Sequence, residues 1–228
     1  MDMLLRRLLT TIAVELLVLF AMLFGPAGTL RWWRAWVLLA LMVVGSIVTV
    51  AELYPRHKDV LEARLHAPIQ RDQPRSDKVL VVALLASLFA AWLLIPIDVF
   101  RLHHALGAPP FAVSLAGLAM AIAGWWIAYR TMIVNAFAAP AVRRDRRQRV
   151  VDVGVYAVVR HPMYAGAALV VLGVPLWLGS WAAALASLLP IAVVAVRAVF
   201  EERFLARELD GYAAYLHRVP WRLVPHVW

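Results

Sequence analysis

The stretch Arg160-His161-Pro162-Met163-Tyr164-Ala165-Gly166 sets a guanidinium, an imidazole and a phenol side by side, directly before an apolar run. Proline suits the first position of a helix, where its missing N–H is no loss, and it pushes the preceding residue into an extended conformation. A helix is therefore predicted to start at Pro162. The amides of Met163 and Tyr164 then point outward at a positive helix end, which suits an anion such as a carboxylate. A second group follows where the last apolar run ends: Arg197 and Glu201, four residues apart and so on one face of a helix. That spacing admits a plain helix-surface ion pair, worth about 0.3–0.5 kcal/mol and in the less favourable order. It equally admits a site, because ionisable groups where a helix leaves a membrane often serve one.

Composition decides which elements carry these residues. Of 228 residues, 64% are hydrophobic and only 16% charged, and the mean hydropathy is +0.76. A water-facing surface around one core could not absorb so much apolar material, so the natural solvent is lipid. The same numbers exclude a disordered chain, and the absence of cysteine excludes a disulfide scaffold. Apolar runs at about 8–24, 35–51, 79–97, 111–129, 163–178 and 181–196 predict an all-α integral membrane protein with five or six transmembrane helices. If all six span, 20 of the 23 Lys and Arg fall on one face and three on the other. The positive-inside rule then places both termini, both long loops and the C-terminal segment in the cytosol, in a membrane of the bacterial inner type. The net charge of +9 follows from this topology and from anionic lipid, and calls for no nucleic-acid partner.

The first run follows Arg6 and Arg7 as a signal peptide would. Its Glu15 and the lack of a small-residue cleavage site after Gly25-Pro26 favour a retained helix. Glu15 itself is expected near the end of a short first helix, packed on another helix or facing the interface. Trp32, Trp33 and Trp36 with Arg34 read as interface anchors. Residues 54–78, with three prolines and mixed charges, read as a cytosolic connector with one short helix near Val60–Leu65, positioned to cover a site beneath it. Residues 130–162 form a long polar loop whose clustered arginines, Arg143 to Arg149, suit a lipid surface. Asn135 suits a cap or loop position better than a pocket lining. Phe204, Leu205, Leu209, Tyr212 and Leu216 predict one amphipathic helix on the cytosolic face. No metal is expected, since His103 and His104 have no ligand partner nearby in sequence and the other histidines are scattered.

Taken together, Gly154-x-Tyr156-x-x-x-Arg160-His161-Pro162-x-Tyr164-x-Gly166, then Arg197-x-x-x-Glu201-Glu202-x-x-Leu205 and Tyr212-x-x-Tyr215 before Val219-Pro220, resemble the isoprenylcysteine carboxyl methyltransferase family. Membrane phospholipid N-methyltransferases share this C-terminal half. The resemblance covers residues 130–225 and divides the chain into N-terminal helices and connectors, 1–129, and a methyltransferase-like region, 130–228. It implies an enzyme using S-adenosyl-L-methionine, bound by Gln148, Arg149, Val150, Val151, Tyr156, His161, Pro162, Met163, Tyr164 and Glu201, with Arg197 at the methyl acceptor. The residue types suit those roles. Glu201 can accept from the ammonium, His161 and the helix-start amides can take the carboxylate, and Tyr156 and Tyr164 offer aromatic surface to adenine or sulfonium.

The implied acceptor is lipophilic or lipidated and arrives from the bilayer. A carboxylate needs no general base and suits Arg197, whereas an amine must lose a proton beside an arginine, so carboxyl O-methylation is favoured over phospholipid or amine N-methylation. Two other readings stay open. A membrane reductase could bind NADPH, its 2′-phosphate on Arg143 to Arg149; a scaffold or transporter would show internal repeats or midplane charges, and no repeat is seen.

Overall fold

A computed structural model describes residues 2–70, 73–135 and 149–228, and among them all regular structure is helical. The long helices are α1 (Met3–Ala27), α2 (Trp33–Arg56), α4 (Arg75–Phe100), α5 (Phe111–Val134), α6 (Pro162–Leu178) and α8 (Leu188–Glu208); α3 (Lys58–Arg64), α7 (Trp181–Ala186) and α9 (Tyr212–Arg218) are short. α1, α2, α4, α5 and the Trp181–Glu208 segment of α7 and α8 together are long and apolar enough to cross a membrane, while α6 is shorter at 17 residues. The protein is an all-α integral membrane protein. α7 and α8 are separated at Ser187 for a local reason. Pro190 cannot donate to the carbonyl of Ala186 and its ring crowds that group, so the helix yields one turn before it.

Hydrogen bonds tie the helices together at two polar ends. At one end Asp2, the N-cap of α1, accepts from the Tyr54 hydroxyl at 2.9 Å and the Lys58 ammonium at 3.2 Å, joining the start of α1 to the end of α2. At the other end the fully buried Asp98 accepts from the Ser180 hydroxyl at 2.6 Å and the Ala105 amide at 2.9 Å. Ser180 also caps α7, and Arg34 donates to Ser114 and to the Trp177 carbonyl. The turn between α6 and α7 depends on Gly179, whose φ of 95° is one that only glycine adopts without strain. Packed against the Asp98 end, Leu23, Phe24, Ala35, Ile95, Trp177 and Leu178 form the main core.

The closest packing joins α5 and α6. Gly117 faces Gly173 and Gly124 faces Gly166, each pair seven residues from the next, in antiparallel register. A Cβ at any of these four positions would meet the opposing glycine's carbonyl oxygen at 2.4–2.7 Å. Small residues at a helix interface let backbones approach this closely, and in lipid such packing replaces the hydrophobic drive that water would supply.

Three expectations are corrected. Trp32 is no interface anchor: it is buried, edge-on to Phe100 and Phe24, whereas Trp33 and Trp36 are exposed. Glu15 lies in the middle of α1, not near its end, and is exposed between the exposed Val14 and Leu17. The single amphipathic tail helix is two helices. α8 ends at Glu208, Gly211 turns the chain at a φ of 82°, and α9 starts at Tyr212.

Candidate active site

The polar end that holds the Arg160–Gly166 motif is built from the start of α6 outward. Pro162 is the first residue of α6 and His161 lies before it in a non-helical conformation, as the sequence requires. The backbone amides of Arg160 and His161 donate to the carbonyls of Trp221 and Arg222 at 2.9 and 3.0 Å, so the C-terminal segment folds back across the helix start. Of the two amides expected to face outward, that of Tyr164 is already bonded to the His161 carbonyl at 3.1 Å.

Beneath this clasp lies a buried ionic cluster centred on Glu202. Its carboxylate accepts from Arg160 Nε at 2.6 Å and Arg222 Nε at 2.8 Å, and His161 Nε2 lies 3.3 Å away. Arg160 also donates to the Val219 carbonyl at 2.7 Å, and both it and Glu202 are almost wholly buried. The His161 imidazole thus faces Glu202, and its flat side stacks on Tyr164 with ring centroids 5.4 Å apart.

Glu201, the next residue on α8, faces a different set. It accepts from the Tyr164 hydroxyl at 2.5 Å and is half-buried. One helical turn earlier Arg197 is buried, with its guanidinium carbon 5.7 Å from the Tyr164 ring centroid. Its carboxylate partner is Asp77 in the first turn of α4, with Nε to Oδ1 at 2.7 Å and Nη2 to Oδ2 at 3.3 Å. Gln73 donates to the same Asp77 carboxylate. The helix-surface pair that the Arg197–Glu201 spacing admitted gives way to a long-range pair across two helices.

Tyr156 sits in a short 3-10 turn, Gly154–Ala157, just before the motif. Its hydroxyl accepts from Asn135 Nδ2 at 2.8 Å and its carbonyl accepts from the Tyr215 hydroxyl at 2.8 Å. Burial pushes the Tyr156 phenol up to about 12, with the Glu201 carboxylate adding to the shift and Arg64 opposing it. Tyr156 is thus neutral at physiological pH and acts as a hydrogen-bonding aromatic, not as a base. Arg64, at the end of α3, reaches Met163 with Nη2 3.6 Å from Sδ, and burial lowers its guanidinium from the usual range. The connector helix thus reaches the first turn of α6 through Arg64.

Of the residues singled out by sequence, Tyr156, Met163, Tyr164, Arg197 and Glu201 meet in this one region. Pro162 is buried as the helix start. His161 is turned toward the Glu202 cluster. Arg149 is exposed, Val150 packs against the Tyr212–Tyr215–Val219 cluster, and Val151 is half-buried beside it in sequence. Gln148 and Arg143 to Arg147 lie outside the described residues. Sequence reasoning missed Arg64 and Asp77, and it quoted Glu202 in the motif without giving it a role. Asn135 is the C-cap of α5, as expected, and also donates to the Tyr156 hydroxyl.

Residues 112–210 match the family model of phospholipid methyltransferases. The match covers a little under half of the chain, and a comparison with curated proteins finds no similar one. It begins in α5 and ends just beyond α8, so Asn135, Tyr156, Arg160 to Tyr164, Arg197, Glu201 and Glu202 fall inside it. Arg64 and Asp77 fall outside. The similarity supports the broader kinship with membrane methyltransferases and does not single out the carboxyl-methylating branch.

The residues present suit the group such enzymes use. S-adenosyl-L-methionine carries an ammonium, a carboxylate, an adenine and a sulfonium, and this mouth offers Glu201, Arg64 and the rings of Tyr156 and Tyr164. A donor set with one half-buried acid, one half-buried base and two phenols matches that mixture of charges and aromatic surface.

Proposed function

We propose that the protein is a membrane methyltransferase that takes the methyl group from S-adenosyl-L-methionine and passes it to a lipophilic acceptor drawn from the bilayer. The observation that carries this reading is the meeting of Tyr156, Tyr164, Glu201 and Arg197 at one end of an apolar bundle, within the segment similar to phospholipid methyltransferases. Bound there, the cofactor supplies an electrophilic methyl on a sulfonium. Glu201 would accept from its ammonium, Arg64 and the Met163 amide at the start of α6 would meet its carboxylate, and Tyr156 and Tyr164 would line the adenine and sulfonium. His161 contributes by holding Tyr164 through ring stacking, a change from the direct contact expected for it. Transfer is an in-line displacement, so orientation and exclusion of water are the chain's main tasks.

A carboxylate remains the acceptor first favoured, with Arg197 as its partner and a methyl ester as product. The Asp77–Arg197 pair supports a second reading. With its charge balanced by Asp77, Arg197 no longer repels a cationic headgroup, and Glu201 adds a negative charge nearby, so an amine such as that of phosphatidylethanolamine is admitted. In this reading the incoming amine loses its proton to solvent or to a carboxylate.

Calorimetric titration of the detergent-purified protein with S-adenosylhomocysteine, run beside NADPH, tests the cofactor. Saturable S-adenosylhomocysteine binding, weakened at least tenfold in Glu201→Gln, is expected. NADPH binding alone would move the protein to the reductases. The acceptor follows from labelled methyl transfer to an S-prenylated N-acetylcysteine, to phosphatidylethanolamine and to a total membrane lipid extract. An ester releases its label as methanol in base; a methylated amine does not. Wild-type turnover in Arg197→Ala would remove Arg197 from the reaction.

A further inference from the structure

The acceptor side of the site is not contained in the C-terminal half. We propose that Asp77, at the start of α4, is a positioning residue that fixes the Arg197 guanidinium for the methyl acceptor, and that the N-terminal half thereby supplies part of the site. The inference rests on the methyltransferase reading above and extends it to a residue outside the matched segment.

The geometry is that of a built partner. Two nitrogens of Arg197 engage the two oxygens of Asp77, at 2.7 and 3.3 Å, and such a two-point contact fixes the guanidinium plane as well as its position. Asp77 is itself held. Gln73 donates to it, Pro74 is the N-cap of α4 three residues earlier, and a carboxylate in a first helical turn is favoured by the helix dipole. Gln73, Asp77 and Arg197 are all buried. Beyond them the ring of Tyr164 lies under the guanidinium and carries the arrangement to Glu201.

Stability alone gives a poor account of this arrangement. A buried ion pair is often no better than packed apolar side chains of the same volume, because desolvation offsets the attraction. α4 and α8 have abundant apolar residues that could meet instead. What the pair adds is a fixed direction and a balanced charge for the arginine that the site would present to an acceptor. Without Asp77 the guanidinium could swing toward Glu201 and Tyr164, leaving the acceptor misaligned while the cofactor still binds.

The test is a double-variant cycle on the full-length protein in detergent, with Asp77→Asn, Asp77→Ala, Arg197→Ala and the double variant Asp77→Ala/Arg197→Ala. Methyl transfer is read with the three acceptors named above, and S-adenosylhomocysteine affinity by calorimetry. Asp77→Asn keeps the volume and one acceptor oxygen, so it remains informative if Asp77→Ala does not fold. We expect Asp77→Asn and Asp77→Ala each to lose at least tenfold in kcat with cofactor affinity within about threefold of wild type. The double variant should be no slower than Arg197→Ala alone, since Asp77 acts through that residue. Asp77→Glu should recover part of the loss. Wild-type kcat in Asp77→Asn, or losses that multiply in the double variant, would overturn the proposal and leave the methyltransferase reading standing. Failure of the wild-type protein to bind S-adenosylhomocysteine, or to methylate any of the three acceptors, would overturn both.

Discussion

Glu202→Ala removes a carboxylate shared by Arg160, Arg222 and the His161 ring, and its cost can be worked from the geometry. The Arg160 and Glu202 side chains are 6% and 7% exposed and 2.6 Å apart, so deleting one partner strands a buried charge. Breaking such a pair costs about 3–5 kcal/mol. Arg222 is 30% exposed, and its share is about 0–1 kcal/mol after screening. The sum is a large part of the roughly 5–15 kcal/mol that separates folded from unfolded proteins. For a chain of this size it corresponds to a Tm lower by about 6–24 °C. The assay is thermal melting in detergent followed by circular dichroism, with Glu201→Ala alongside. That neighbour is half-buried and bonded to Tyr164, so it should cost only about 1 kcal/mol in stability while weakening cofactor binding. A Tm for Glu202→Ala within 2 °C of wild type would refute the division of the two adjacent glutamates into a structural and a ligand-facing residue.

Gly124→Ala should lower stability by about 1–3 kcal/mol, because its Cβ would come within 2.4 Å of the Gly166 carbonyl and force α5 and α6 apart. Gly25→Ala, which meets nothing within 4 Å, serves as the control and should be neutral or stabilising in the same melts. Tyr156, Tyr212 and Tyr215 are all raised by burial, Tyr156 to about 12. Each keeps its proton where the unfolded chain has lost it. Stability should therefore fall as pH rises above 10, by up to about 1.4 kcal/mol per unit for each such tyrosine. Melting between pH 9 and 11.5 checks this, and Tyr156→Phe should flatten the slope; an unchanged slope would count against the burial of that phenol.

The helices were legible because their signal is local. An apolar run long enough to span a membrane, a proline before it and a glycine after it are read without knowing the fold, and all six runs became helices. Pro162 fixed the start of α6 for the same reason. What escaped was set by contacts between distant residues. Nothing in the spacing joins Asp77 to Arg197, or Arg64 to Met163, and a sequence reading had no ground to prefer them over other connector charges. The glycines at 117, 124, 166 and 173 were visible as two pairs with the same seven-residue interval, which is the one signal that could have located the α5–α6 contact. The Glu201-Glu202 pair shows the limit most clearly. Neighbours on a helix face directions about 100° apart, so one enters the clasp and the other the mouth, and only the fold says which.

The two polar ends of the bundle differ in a way that separates structure from chemistry. At the Asp98 end the groups are sealed: Asp98, Ser114 and Ser180 are fully buried, and each is bonded to a neighbour at the same end. That cluster joins α4, α5 and α7, and its half-buried cation, Arg34, is engaged with Ser114 and the Trp177 carbonyl. At the other end the Glu202 cluster is sealed in the same manner, yet above it Arg64, Tyr156, Met163, Tyr164 and Glu201 are only half-buried. A carboxylate, a guanidinium and two phenols are gathered there, flanked by the buried pairs Asp77–Arg197 and Arg160–Glu202. Charges held in fixed positions are what the proposed site for a charged, aromatic ligand would require. On the proposed reading, the connector between α2 and α4 brings Arg64, and the first turn of α4 brings Asp77, to the site that the C-terminal helices form.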